Sequence, residues 1–292
     1  MNAFYREIAE RISAETSAPF EIDRIAHQGG GCINDTVRLD GADGSSWFIK
    51  SNTQADLKVF EAEFDGLKGI AETATVRVPK PLCLGEAQGQ AWFAMEFVEL
   101  AGAKAGSQEQ LGRQLASLHK ITQPHFGWHH NNTIGSTPQN NPQSDDWIEF
   151  WRDYRLGFQL RLAEKNGGVF QGAEELCDGL EELFSEYDPQ PSLLHGDLWS
   201  GNVSFTKNGE PVIYDPASYF GDREAEFGII NMFGGFTDEF YRGYHDVWPL
   251  DDAFKSRLPL YELYHTLNHF NIFGSSYGAN CQRLIDQLLK SV

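Results

Sequence analysis

"LLHGDLWSGNVSF", residues 193–205, compresses an apolar entry, a His-Gly-Asp, a tryptophan, a Ser-Gly-Asn and a second apolar run into one short segment. The runs "SLLHG" and "VSF" have the composition of short strands, so Asp197 and Asn202, five positions apart, sit on the loop between them. "NVSFTKNGEPVIYD" then reads as strand, turn, strand. A hairpin with Asn202 at its start and Asp215 at its end returns a second carboxylate to the same loop.

Outward from this stretch the chain changes character twice. Residues 101 onward are mostly helical in period: "EQLGRQLASLHKIT", "DWIEFWRDYRLGFQLRLAEKNG", "LPLYELYHTLNHFNIFG" and "CQRLIDQLLKSV". The acidic "EELCDGLEELFSEYD" (174–188) carries Leu176, Leu180, Leu183 and Tyr187 at helical spacing and is expected to be one helix with a solvated face. Before residue 100, "FEIDRIAHQ", "CINDTVRLD", "WFIKS" and "LCLGEAQGQAWFAMEFV" read as strands, with one amphipathic helix, "DLKVFEAEFDGLKGIAE" (56–72), between them. The expected architecture is α+β and bilobal. A small antiparallel sheet with one main helix fills residues 1–98, and a larger, mainly helical lobe fills 99–292. The Gly/Ala-rich "ELAGAKAGS" (99–107) is the expected hinge.

Four elements from both parts then share one chemistry. "GGGCINDTVRLD" leads into a strand and lacks a Gly-Lys-Ser/Thr, so Gly29, Gly30 and Gly31 form a hairpin tip able to offer backbone N–H groups to phosphate. Lys50 lies among Trp47, Phe48 and Ile49, where an unpaired ammonium would cost several kcal/mol. Glu63 on the following helix is its natural partner, because Glu61 lies about 200° around that helix. His195, Asp197 and Asn202 have the H-x-D-x-x-x-x-N spacing of a phosphotransfer loop, with Asp215 following. An alcohol attacking a phosphoryl group needs a carboxylate to take its proton, and the polyanion needs Mg²⁺ held by oxygen ligands.

Composition removes other classes. A net charge of −19 opposes nucleic-acid binding. No window is long and apolar enough for a membrane span. The charged, helically spaced "MNAFYREIAERISAE" is neither a secretory signal nor a transit peptide, and a cytoplasmic location is expected. Cys32, Cys83, Cys177 and Cys281 are scattered, which indicates neither a disulfide framework nor a structural zinc site.

The segments "GGGCINDT", "FEAEFDGL", "RVPKPL", "LGRQLASLH", "FGW", "LLHGDLWSGN", "IYDPASYFGDREAEFG", "MFGGF" and "LYELYHTLNHFNIFG" together resemble the fructosamine/ketosamine 3-kinase family, within the protein-kinase-like phosphotransferases. The resemblance implies that Gly29, Gly30 and Gly31 cover the phosphates of ATP, and that Lys50 contacts them, positioned by Glu63. It implies further that Asp197 is the catalytic base and that Asn202 and Asp215 hold Mg²⁺. Met95, Glu96, Phe97 and Val98 would form the connection whose backbone meets adenine. The implied reaction is ATP-dependent phosphorylation of the 3-hydroxyl of a ketosamine, free or on a glycated lysine, which then sheds its sugar. Kinases of an aminoglycoside, choline or homoserine-like alcohol share the loop and stand as the alternative, followed by a non-catalytic nucleotide-binding protein. Pro216 and Ala217 replace the Phe-Gly of protein kinases, and "PASYFGDREAEFG" is too short for a phosphorylatable activation loop.

Four further residues are candidates for substrate contact. Trp199, two positions past Asp197, could stack on a sugar face or be a core aromatic. Asp222 and Glu226 belong either to a buried network or to the substrate amine's acceptors. His269 matches the family's C-terminal signature, whereas His195 is expected to tie loop backbone together. Cys32, beside the glycines, is either a small residue that fits the turn or a redox thiol, through which a monomer could become a redox-sensitive homodimer.

Overall fold

Sequence alternation and turn chemistry build the first part of the chain. The computed structural model describes residues 2–29, 34–53 and 57–292. Asn2 caps helix α1 (Ala3–Thr16), its side chain accepting the Phe4 N–H, and Phe4, Ile8 and Ile12 form the buried stripe. Strands β1 (Ile22–His27), β2 (Asp35–Gly41) and β3 (Ser46–Asn52) follow, then helix α2 (Leu57–Thr73) and strands β4 (Pro81–Ala87) and β5 (Gln90–Glu96). They form one antiparallel sheet in the order β1-β2-β3-β5-β4. The register sets Lys50 between Thr36 of β2 and Phe93 of β5. One face of the sheet packs Val37, Leu39, Ile49, Trp92 and Ala94 against α1. The other face meets Phe60, Leu67 and Ile70 of α2, with the Phe60 and Phe93 rings 6.3 Å apart. β5 is buried from Ala91 to Met95, which accounts for its unbroken apolar sequence.

The larger lobe starts at once. β6 (Leu100–Ala101) pairs with β10 (Val203–Thr206), which pairs with β11 (Pro211–Ile213). The expected hinge therefore begins as a strand docked on the larger lobe. Helix α3 (Ser107–His119) follows, then hairpin β7 (Asn132–Ile134) and β8 (Thr137–Gln139). α4 (Trp147–Trp151) and α5 (Gly157–Lys165) join through a π-turn, Arg152–Leu156. The acidic segment is not one helix. α6 (Ala173–Asp178) stops at Gly179 and a 3-10 turn, Leu180–Phe184, continues. Leu176, Leu180 and Leu183 are buried as their spacing required, but the Tyr187 hydroxyl turns inward and donates to Asp222 at 2.8 Å.

Strand β9 (Ser192–Leu194) pairs with β12 (Tyr219–Gly221), and α7 (Glu226–Phe233), α8 (Asp238–Val247), α9 (Phe254–Phe273) and α10 (Gly278–Leu288) complete the lobe. α3 and α8 cross at two glycines. A Cβ on Gly112 would lie 2.0 Å from the Phe240 carbonyl oxygen, and one on Gly243 would lie 2.1 Å from that of Glu109. The lobes are tied laterally by Arg77, which reaches Glu96 at the end of β5 and Glu210 before β11, both at 2.9 Å. The architecture is thus the bilobal, protein-kinase-like α+β fold. Among the described residues no helix is long and apolar enough to cross a membrane.

Candidate active site

The Lys50 side chain emerges from a sheet strand buried on both flanks and is itself only 8% exposed. Its Nζ lies 2.7 Å from Glu63 Oε1 on α2 and 2.5 Å from Asp215 Oδ1 after β11. Burial alone would push the ammonium toward deprotonation. Glu63 and then Asp215 outweigh it, and the net shift is upward. Glu61 is exposed, as the helical angle required.

Asp215 is held by backbone geometry. Its φ of 58° is left-handed, a conformation costing a non-glycine residue about 1–3 kcal/mol. Pairing of Val203 with Ile213 sets β10 against β11, and Tyr214 donates its N–H to the Asn202 carbonyl at 3.1 Å. Asn202 Nδ2 then donates to the Asp197 carbonyl at 2.9 Å and to Asp197 Oδ2 at 3.3 Å, with the Asp215 carbonyl at 3.5 Å. Asp197, Asn202 and Asp215 therefore form one cluster, to which Asp215 joins Lys50 and Glu63.

Beneath this cluster the loop is fastened from inside. Gly196 has φ 83°, and a Cβ there would lie 2.2 Å from the Ala217 carbonyl oxygen, so only glycine fits. His195 is fully buried; its Nε2 donates to the Tyr214 carbonyl at 3.0 Å while Nδ1 accepts the Asp197 N–H at 3.3 Å. Those two partners fix a neutral tautomer, and burial lowers the ring's pKa accordingly. The expected backbone-tying role of His195 is what the structure displays.

Asp222 and Glu226 take the buried-network alternative. Asp222 is 0% exposed and accepts from Tyr187, Tyr261 and the Glu224 N–H. Glu226 is 1% exposed; its oxygens accept the N–H of His195 at 2.7 Å and that of Gly196 at 3.0 Å, with His119 Nε2 at 3.5 Å. Both sit under the loop with their oxygens committed to the protein's own donors. Nearby, Arg257 grips Glu224 through two bonds of 2.7 and 2.9 Å.

Asp197 is less fully enclosed. Burial raises its pKa well above the ordinary aspartate value, Asp215 and Glu226 add to that, and the Asn202 bond opposes it. Trp199 is 37% exposed, which removes the core-aromatic reading, and its ring lies 5.3 Å from Phe233. Phe233 in turn lies 5.1 Å from His269, whose Nδ1 is bonded to the His265 carbonyl at 2.8 Å. Trp199 and His269 thus bracket one aromatic row beside the loop.

Among the connection residues, Glu96 donates its N–H to Lys80, Phe97 lies under the Arg38 guanidinium at 4.3 Å, and Met95 is buried. Gly29 is exposed, and a Cβ on it would meet nothing within 4 Å among the described residues. Gly30, Gly31 and Cys32, the expected glycine tip and the candidate redox thiol, lie outside the described residues. Sequence reasoning missed Arg77, whose partners are brought to it only by the fold.

Comparisons with known proteins converge with this geometry. The profile described as fructosamine kinase matches residues 4–291. A probable ketoamine kinase of Synechocystis sp. is 41% identical over 98% of this chain and 97% of its own length. The chloroplastic protein-ribulosamine 3-kinase of Arabidopsis thaliana is 44% identical over 97% of this chain and 87% of its own length. The crystal structure of a putative fructosamine-3-kinase from Haemophilus somnus superposes with a TM-score of 0.89 at 26% identity, covering 98% of each chain.

Proposed function

The chain belongs to the fructosamine kinase family of ATP-dependent phosphotransferases, and we propose that it phosphorylates the 3-hydroxyl of ketosamines. The observation that carries this reading is the convergence of Lys50, Glu63, Asp197, Asn202 and Asp215 from two lobes on one place. The similarity to ketoamine and ribulosamine 3-kinases supports the choice of acceptor.

In this reading Lys50, held by Glu63, binds the phosphates of ATP, and Asp215 releases it to do so. The lobes divide between residues 98 and 99, and Met95 to Val98 face the adenine. Gly29 to Gly31 close over the phosphates. The donor set fits a hard cation: Asn202 turns its amide nitrogen to Asp197, which leaves Oδ1 as the ligand, and the Asp215 carboxylate is half exposed. Mg²⁺ there supplies charge neutralisation of the transferring phosphoryl group.

Asp197 orients the acceptor hydroxyl and accepts its proton. Its raised pKa makes it a better base than an ordinary aspartate, provided it is ionised when the acceptor arrives. The partly exposed Trp199 indole covers the sugar's C–H face and keeps water from the transfer. The phosphorylated product is unstable and sheds the sugar, so the consequence on a glycated lysine is removal of the adduct.

The test is ATP consumption across ribulosamine, fructosamine, choline and aminoglycoside acceptors, with the phosphorylated carbon located by NMR. The reading expects turnover on a ketosamine with phosphate on C3. Faster turnover on choline or an aminoglycoside would replace the acceptor while leaving the site intact.

A further inference from the structure

The side of α2 turned away from Glu63 bears a second cluster, outside the phosphate-transfer residues. Asp65, two positions after Glu63, points at the segment Trp128-His129-His130 of the larger lobe. Asp65 Oδ2 lies 3.7 Å from His129 Nε2 and 3.6 Å from His130 Nδ1, and the ligand atoms of all three fall within 4.8 Å of one another. These separations are too long for hydrogen bonds. They match the edge of a tetrahedron of ligands at Zn–N and Zn–O lengths near 2.1 Å, which is about 3.4 Å.

We propose that Asp65, His129 and His130 bind a divalent transition ion of the Zn²⁺ class, which clamps α2 to the larger lobe.

The setting beyond proximity also suits a ligand site. The nitrogen of His130 that faces Asp65 is Nδ1, and Nε2 points into the protein, buried and without a hydrogen-bond partner among the described residues. The segment around it is also built rigidly. Trp128 is 9% exposed, stacks on Phe220 at 5.6 Å and packs against Gly69, one turn after Asp65 on α2. Asn141 donates to the His130 carbonyl at 3.1 Å while its own Oδ1 accepts from the buried Arg155 at 2.6 Å. The two imidazoles meet edge to face, 4.4 Å between centroids, which aims one nitrogen of each at the same carboxylate.

Charge and ligand type decide the ion. Two imidazoles and one carboxylate suit Zn²⁺ and its neighbours in the first transition row, whereas Mg²⁺ demands an oxygen octahedron. Glu61, one turn before Asp65, adds negative charge on the same side of the helix. Three protein ligands leave the fourth position to water. His129 is largely exposed, so an ion can enter from solvent.

The experiment is calorimetric titration of the full-length chain with ZnCl₂ in buffer holding excess Mg²⁺, repeated on His129→Ala and Asp65→Asn. Both positions are partly exposed, and neither touches the phosphate-transfer cluster. The expected result is saturable binding of one Zn²⁺ per chain with a rise in melting temperature, and a loss of more than about tenfold in affinity in either variant. Co²⁺ in place of Zn²⁺ should show a tetrahedral spectrum without thiolate charge transfer. No saturable binding, binding indifferent to both substitutions, or a thiolate spectrum from any of the four cysteines would overturn the proposal.

Discussion

Asp197 and Glu226 lie upon and beneath the same loop, and the fold treats them in opposite ways. Glu226 accepts two backbone N–H bonds from His195 and Gly196. Burial pushes its pKa up, but His119 and those bonds outweigh it, and the net shift is downward. Asp197 receives one side-chain bond, from Asn202, against burial and two neighbouring carboxylates, and its net shift is upward. One carboxylate is satisfied and structural; the other is left in deficit, which suits the proton-accepting role proposed for it. Buried charge thus tells support from chemistry by the balance of partners and not by burial.

The largest effect should come from Asp197→Asn. Turnover falls by roughly 10²–10⁴-fold while the KM for ATP stays near wild type, measured by steady-state kinetics. Near-wild-type turnover would exclude Asp197 as the base. The same substitution tests the sign of the shift. A carboxyl whose folded pKa is raised is protonated more readily in the native state, so as pH rises from about 3.9 through the folded value the native state loses stability. Asp197→Asn in the nucleotide-free protein should therefore be more stable than wild type at pH 7, and this advantage should shrink in acid.

Next in size is Arg257→Met, on the supporting side. It leaves Glu224 buried without its two bonds and should cost about 3–5 kcal/mol in denaturant unfolding. The KM for ATP of the folded fraction should hardly move. Glu226→Gln is smaller, about 1–3 kcal/mol, because an NH2 group replaces one of the two oxygens that accept the His195 and Gly196 N–H groups. Here the linkage runs the other way. The wild-type contribution of Glu226 is present above the unfolded carboxylate pKa of about 4.3 and is lost as pH falls through the lowered folded value. The variant's deficit should accordingly fade in acid, the mirror image of Asp197→Asn.

The smallest effect should be that of Trp199→Ala. Its ring is partly exposed, so the melting temperature stays put, while kcat/KM for a ketosamine falls by about tenfold, worth roughly 1.4 kcal/mol of stacking. An equal loss with every acceptor alcohol would remove it from substrate recognition.

Much of the cleft was legible in the sequence because local rules determine it. Strand composition placed Lys50 inside the sheet, helical angle chose Glu63 over Glu61, and hairpin closure brought Asn202 to Asp215. What resisted reading depends on contacts between distant segments. Whether Asp222 and Glu226 faced substrate or the interior was fixed by Tyr187, Tyr261, His119 and the loop's own backbone, and no periodicity records such partners. The acidic helix broke because Gly179 and the inward turn of Tyr187 toward Asp222 prevailed over an otherwise continuous leucine spacing. Asp65 and His129-His130 belong to segments that meet only when α2 packs on Trp128.

The most direct test of the central claim is a crystal structure with a non-hydrolysable ATP analogue, Mg²⁺ and a ketosamine. The account predicts Asn202 Oδ1 and the Asp215 carboxylate on the metal, Lys50 on the phosphates, and Asp197 within hydrogen-bond reach of the sugar's 3-hydroxyl. Nucleotide bound elsewhere, or a 3-hydroxyl that no carboxylate approaches, would contradict it.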